Sequence, residues 1–151
     1  MDKNSIVNLL VSSQIASAEE IEGCSENEIK ELEDEIGHSF PTVYREFLLA
    51  AGHRVGLLFQ GTDIFFGNLR GLTQEANELL EENQEPFTLP ADTFVFSMHQ
   101  GYEFNYFRFS DGENPPVYQY IEGEGDPKLA WDSFSNFLSD GINVTATFIK
   151  E

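Results

Sequence analysis

Four side chains in this sequence have the chemistry to bind a metal or to act as a nucleophile with its base: Cys24, His38, His53 and His99. No pair of them stands at HxxxH, CxxC or HExxH spacing, so no zinc site is legible. His38 and His53 each follow a helical pattern, where an imidazolium suits the negative end of the helix dipole; both are read as structural. His99 lies in a turn with Gln100, Gly101, Tyr102 and Glu103. It is the only histidine beside both a carboxylate and aromatic rings, which makes it the best catalytic candidate, against the plainer reading of an ordinary turn histidine. Cys24 precedes a helix N-terminus, which lowers a thiol pKa, but Glu19, Glu20, Glu22 and Glu26 push it back up. There is no GxSxG elbow and no glycine loop ending in Lys for phosphate. The Glu122 to Asp126 loop carries oxygen ligands without EF-hand spacing. Paired carboxylates for glycoside chemistry are a matter of spatial separation, which the sequence does not contain. The expectation is a protein that is not an enzyme and uses no cofactor or metal.

What remains is an acidic, aromatic surface. Tyr102, Tyr118, Tyr120 and Trp131 interleave with Glu103, Asp111, Glu113, Glu122, Glu124 and Asp126. Tyr and Trp are favoured interface anchors, and a carboxylate rim steers a basic partner. These ten residues are the expected partner-binding set, with the Glu31 to Glu35 helix face second. The competing reading is that the tyrosines pack under a helix while the acids only solvate loops. The totals point the same way. With 8 basic and 27 acidic residues in 151, the net charge is −19. Such a chain is repelled by nucleic acid and by anionic membranes and attracted to a basic partner, although acidity also serves solubility alone. A single cysteine allows no internal disulfide and fits a reducing compartment. The N-terminal apolar run is too short and broken for a membrane span. Ala16-Ser17-Ala18 only faintly imitates a signal-peptidase site, so a cytoplasmic location is expected.

The elements that must position these residues are organised around Ser25 to Gly52. Ser25 and Glu28 form a capping box, and Ile29, Leu32 and Ile36 repeat at helical spacing up to Gly37. Pro41 opens a second helix with Tyr44, Phe47, Leu48 and Ala51 on one face and Gly52 at its end. Before this hairpin, Ile6, Leu9 and Leu10 mark a helix over about Asn4 to Ser13. Ala18 to Glu22 reads as a short edge strand or a turn. After it, Val55 to Phe59 and Ile64 to Phe66 read as two strands joined at Gln60 to Asp63. Leu72, Ala76, Leu79 and Leu80 mark a long helix capped by Thr73.

The second half is mostly strand. Phe94, Phe96 and Met98 alternate on one face of Thr93 to Met98. Tyr102 to Tyr106 continues after a turn, and Phe107 and Phe109 then change phase, which a bulge near Tyr106 or burial on both faces explains. Val117 to Ile121 is a strand and Leu129 to Trp131 a short one. Ser133 caps a last helix through Phe134, Phe137 and Leu138, ending at Gly141, with a weak strand or tail over Ile142 to Ile149. This order gives an α+β protein, one domain over 1–151, with a mixed, mostly antiparallel sheet flanked by helices.

An acidic amphipathic helix followed by Phe40-Pro41-x-x-Tyr44-x-x-Phe47-Leu48-x-x-x-Gly52 resembles the core motif of the SUKH superfamily. That group contains the yeast cell-wall assembly regulator and many bacterial immunity proteins of toxin systems. The family usually has Leu-Pro where this chain has Phe40-Pro41. The downstream strands, Pro116-Val117 and Ser133-Phe134-x-x-Phe137-Leu138 extend the resemblance over Gly23 to Leu138. It implies a mixed sheet flanked by helices and a role in binding another protein. For an immunity protein, that partner is a cognate toxin, often a nuclease. The alternative it implies is a regulatory or scaffolding module. None of its motifs is catalytic.

Overall fold

The computed structural model describes residues 1–150. Helix α1 (Lys3–Ser12) opens the chain with Asp2 and Ser5 in a reciprocal capping box, and buries Ile6 and Leu10. A 3₁₀ turn at Ala18–Glu20 leads into β1 (Ile21–Glu22). Helix α2 (Glu26–Ile36) starts at the expected Ser25–Glu28 box and ends at Gly37, whose φ of 82° is the left-handed conformation glycine adopts without strain. Helix α3 (Thr42–Ala51) buries Tyr44, Phe47, Leu48 and Ala51 as the spacing predicts. Pro41 is its cap rather than its first residue and offers no side-chain acceptor. Glu113 fills that role from a distant loop: its carboxylate accepts from the Thr42 amide at 3.1 Å and from the Thr42 hydroxyl.

The segment after α3 departs from expectation. Only β2 (Arg54–Val55) and β3 (Thr62–Asp63) are strands, and they do not pair with each other. β2 joins β1 in a two-stranded ribbon, while β3 edges the main sheet. Positive φ at Gly56 and Phe59 turns the chain repeatedly, so Leu58 reaches the core from a turn, and Ile64 reaches it directly after β3. Helix α4 (Leu69–Glu82) begins before Thr73, which lies inside it. The Thr73 hydroxyl instead accepts from the Val95 amide at 3.1 Å and ties α4 to the sheet.

The sheet continues as β4 (Thr93–His99), β5 (Glu103–Arg108), β6 (Val117–Ile121) and β7 (Lys128–Trp131), in the order β3-β4-β5-β6-β7 with each neighbour antiparallel. The register slips between Val95 and Ser97, so the bulge lies on β4, opposite the expected strand. The phase change on β5 is burial on both faces: residues 104–107 are all buried. Helix α5 (Phe134–Lys150) runs straight through Gly141 and takes in the expected tail. Gly141 is a contact residue there, since a Cβ would lie 2.9 Å from the Phe59 ring. Ser133 does cap α5, accepting from the Asn136 amide at 3.1 Å.

One continuous core results. Helix α4 covers one sheet face with Leu72, Ala76 and Leu80. On the other, Phe94, Phe96 and Phe107 pack on Tyr44 of α3, and Phe96 and Phe107 also meet Phe134 of α5. Edge-to-face contacts dominate this cluster, as the ring quadrupoles favour.

Candidate functional site

The face that carries Phe96 and Phe107 is apolar only where helices cover it. Toward the β4–β5 turn it becomes polar, with Ser97 and Asn105 buried and His99, Glu103 and Gln119 half-buried. Asn105 pairs with Ser97 on β4 and Gln119 on β6. Its Nδ2 donates to Ser97 Oγ at 2.9 Å, and Gln119 Nε2 donates to Asn105 Oδ1 at 3.1 Å and to Glu103 Oε1 at 2.7 Å. On β3, the Thr62 hydroxyl meets His99 Nδ1 at 2.9 Å. These residues floor an open groove of about 460 Å³. Its far wall is α5 with Trp131 and the loop after β2, through Leu57, Phe59, Phe137, Val144 and Phe148. Asp140 adds a carboxylate and accepts from Trp131 Nε1 at 3.3 Å. No Lys or Arg lines the groove.

Only part of the expected partner-binding set meets here. Glu103 and Trp131 line the groove, and Tyr102 stands at its turn with its ring 5.8 Å from that of His99. Tyr120 is fully buried on the α4 side, where its hydroxyl donates to Glu85 and accepts from Asn83. Tyr118 stacks on Tyr106 at 5.3 Å and is half-buried. Glu113 caps α3. Asp111 is exposed in a 3₁₀ turn after β5. Glu122, Glu124 and Asp126 are exposed, with Glu122 beside Asn83 and Glu85. Alternation along β6 explains the split: Gln119 faces the groove and Tyr120 the opposite layer. The polar residues Ser97, Asn105 and Gln119 escaped sequence reasoning. A polar residue within a run of strand aromatics was the available signal.

The second acidic surface is largely committed to the fold. Glu33 is buried, accepts from the Phe40 amide at 2.6 Å and faces Arg45. Glu35 forms a two-pronged pair with Arg70, and Asp34 pairs with Lys30. Glu31 remains exposed.

The chain folds one ligand-like cluster together that spacing did not suggest: Cys24, Glu28 and His53 offer atoms within 4.8 Å of one another. Thiolate, imidazole and carboxylate are zinc ligands. Here, however, His53 Nε2 is engaged with Glu28 at 2.8 Å, and Glu28 also caps the Ser25 amide. Burial, then the charges of Glu28 and Glu22, push the Cys24 thiol up to about 12. The cluster holds α2 against the end of α3 with a protonated thiol. His38 stacks on Phe109 at 4.3 Å.

The family model described as the SMI1 / KNR4 family (SUKH-1) matches residues 23–140, well over half of the chain. The chain belongs to that family. The matched span begins at Gly23, where the resemblance begins, and takes in α2, α3, the whole sheet and the start of α5. SUKH proteins include immunity proteins and cell-wall regulators, and members bind partner proteins such as toxins. No curated protein matches the chain. Among the described residues no helix is long and apolar enough to cross a membrane.

Proposed function

We propose that the protein is an immunity-type inhibitor that binds a basic toxin domain non-covalently and blocks it, with a nuclease as the toxin class that fits the charge best. The carrying observation is the groove: an open cleft between the polar end of the sheet and α5, with carboxylates in its lining and no Lys or Arg, on a chain of net charge −19. A nuclease presents Lys and Arg to hold phosphates, and an acidic protein competes for that surface. Glu103, Trp131 and Tyr102 are the proposed contacts, with the exposed acids Asp111, Glu122, Glu124 and Asp126 steering approach rather than anchoring it. The regulatory or scaffolding reading rests on the same family membership and predicts weaker contacts with several partners.

The proposal is binding rather than catalysis. The groove does gather His99 with Glu103 and Asp140, the arrangement an enzyme would require. Yet the hydrogen bond of His99 goes to Thr62 and that of Glu103 to Gln119, and none joins His99 to either acid among the described residues.

Two measurements test this. Capture at low salt from the source organism, eluted by a salt gradient, should return one basic polypeptide at one-to-one stoichiometry. Many unrelated proteins, or none, would overturn the inhibitor reading. With the captured toxin in hand, its activity should fall linearly with added protein and vanish at a one-to-one ratio. Neutralisation by substoichiometric amounts would mean turnover and an enzyme.

A further inference from the structure

On the reading that the groove binds a partner protein, we infer that it takes up an arginine side chain projecting from that partner. The hydrogen bonds of the floor leave a definite polarity. The Glu103 carboxylate can only accept, so Gln119 must turn its NH₂ group toward it. That same NH₂ group meets Asn105 Oδ1, which sends the Asn105 NH₂ group on to Ser97. Both N–H groups of Gln119 and one of Asn105 are thus directed within the floor. Among the described residues Glu103 Oε2, Gln119 Oε1 and Asp140 Oδ1 accept no hydrogen bond, and two carboxylates in one lining make a cationic donor the fitting one.

The wall chooses among cations. Trp131, Phe59, Phe137 and Phe148 are the aromatic part of the lining, Phe137 buried among the other rings and Phe148 78% exposed. Val144 and Leu57 extend the rim and are also exposed. Exposed apolar residues gathered around a polar floor mark a contact surface. A guanidinium is planar, carries its N–H donors in a fixed fork and stacks on aromatic faces, whereas an ammonium is a compact, strongly hydrated point charge. A planar cation with an aliphatic stem uses both wall and floor; an ammonium uses the floor alone. Lys128 lies opposite Gln119 across the β6–β7 pair, but it is exposed and outside the lining. A second copy of the chain is a poor occupant, since each carries −19.

The test uses the full chain, ¹⁵N-labelled, titrated with N-acetyl-L-arginine amide and with the matching lysine and norleucine amides. The side-chain amides of Asn105 and Gln119 and the indole of Trp131 report the groove. Saturable shifts at these groups are expected with the arginine compound, about fivefold weaker binding with lysine, and none with norleucine. Glu103→Gln should weaken the arginine response about tenfold, the loss of one charged hydrogen bond. Asp140→Asn, at an exposed position, gives the same test if Glu103→Gln disturbs the floor. No saturable shift, equal response to lysine, or shifts confined to the Glu122 to Asp126 loop would overturn the inference. Light scattering that showed a dimer closed over the groove would overturn it too. The two proposals fail separately. A captured partner lost on Glu103→Gln, with no arginine response, removes the arginine and keeps the partner. An arginine response with no partner captured does the reverse.

Discussion

At Cys24 a helix N-terminus and a buried, acidic setting act in opposite directions on one thiol. Burial prevails, and the pKa rises from 9.0 to about 12. The thiolate fraction at pH 8 is then lower by roughly a thousandfold, and the sulfur is also screened from reagents. Labelling with a disulfide reagent should be about a thousandfold slower in the native protein than in urea; native labelling within seconds would contradict the placement of this side chain. Asp92 is shifted the other way. Hydrogen bonds from Ser110, then the Arg108 guanidinium, hold its carboxyl down at about 2 against 3.8 for the unperturbed group. A depressed carboxylate stabilises the fold above its unfolded pKa and ceases to do so as pH falls through the folded one. Asp92→Asn should therefore lower the urea midpoint at pH 7 and flatten its fall between about pH 4 and pH 2. Wild-type pH dependence retained in the variant would remove Asp92 from that role. Site residues were legible to different degrees for physical reasons. Glu103 and Trp131 were readable by type. That Gln119 rather than Tyr118 and Tyr120 would face the groove was not readable, because which face of β6 is open depends on where α4 and α5 pack.

At the scale of elements, Gly52 shows why a helix can end on glycine without needing its backbone freedom. Its φ is −62°, an ordinary helical value. The constraint is space: a Cβ there would collide with Cys24 Sγ and lie 2.7 Å from the Leu48 carbonyl oxygen. Gly52→Ala should destabilise by about 1 to 3 kcal/mol, as overpacking does, read from urea unfolding. An unchanged midpoint would show that α3 shifts freely against Cys24. The α2–α3 hairpin was legible almost to the residue because its signals are local: the Ser25–Glu28 box, Gly37, and two apolar stripes. Elements whose form depends on distant partners were not. Thr73 looked like a cap because Thr caps helices, whereas its hydroxyl serves Val95. Gly141 looked like a stop because glycine usually ends helices, whereas α5 continues over Phe59. The apolar run from Val55 to Phe66 looked like a hairpin because local pattern does not distinguish a strand from a turn that inserts side chains into a core. The groove was not legible for the same physical reason, since its wall is built from the continued α5 and from that looping segment.

For the whole molecule, charge is the dominant long-range feature. Half of the eight Lys and Arg side chains are in ion pairs among the described residues: Arg45 with Glu26 and Glu33, Lys30 with Asp34, Arg70 with Glu35, Arg108 with Asp92. Apart from Glu33, which is buried, these partners are solvent-accessible, so the pairs contribute little to stability and weaken in salt. Against them stands the mutual repulsion of a net −19, which favours expansion of the chain. Raising the ionic strength from about 0.01 to 0.1 M shortens the screening length from roughly 30 to 10 Å, enough to quiet repulsion across the molecule while contacts below 3 Å persist. The urea midpoint at pH 7 should therefore rise over that range, and equally with sodium or choline as the cation, since bulk screening rather than a bound ion is responsible. A fall would mean that the ion pairs outweigh the repulsion. A rise with sodium alone would mean a specific cation site. The same salt range should weaken the complex with a basic partner, whose approach the unscreened field speeds. Opposite responses of fold and complex to one variable separate a charge kept for recognition from one kept for solubility: both raise the midpoint, and only the first gives a salt-sensitive association rate.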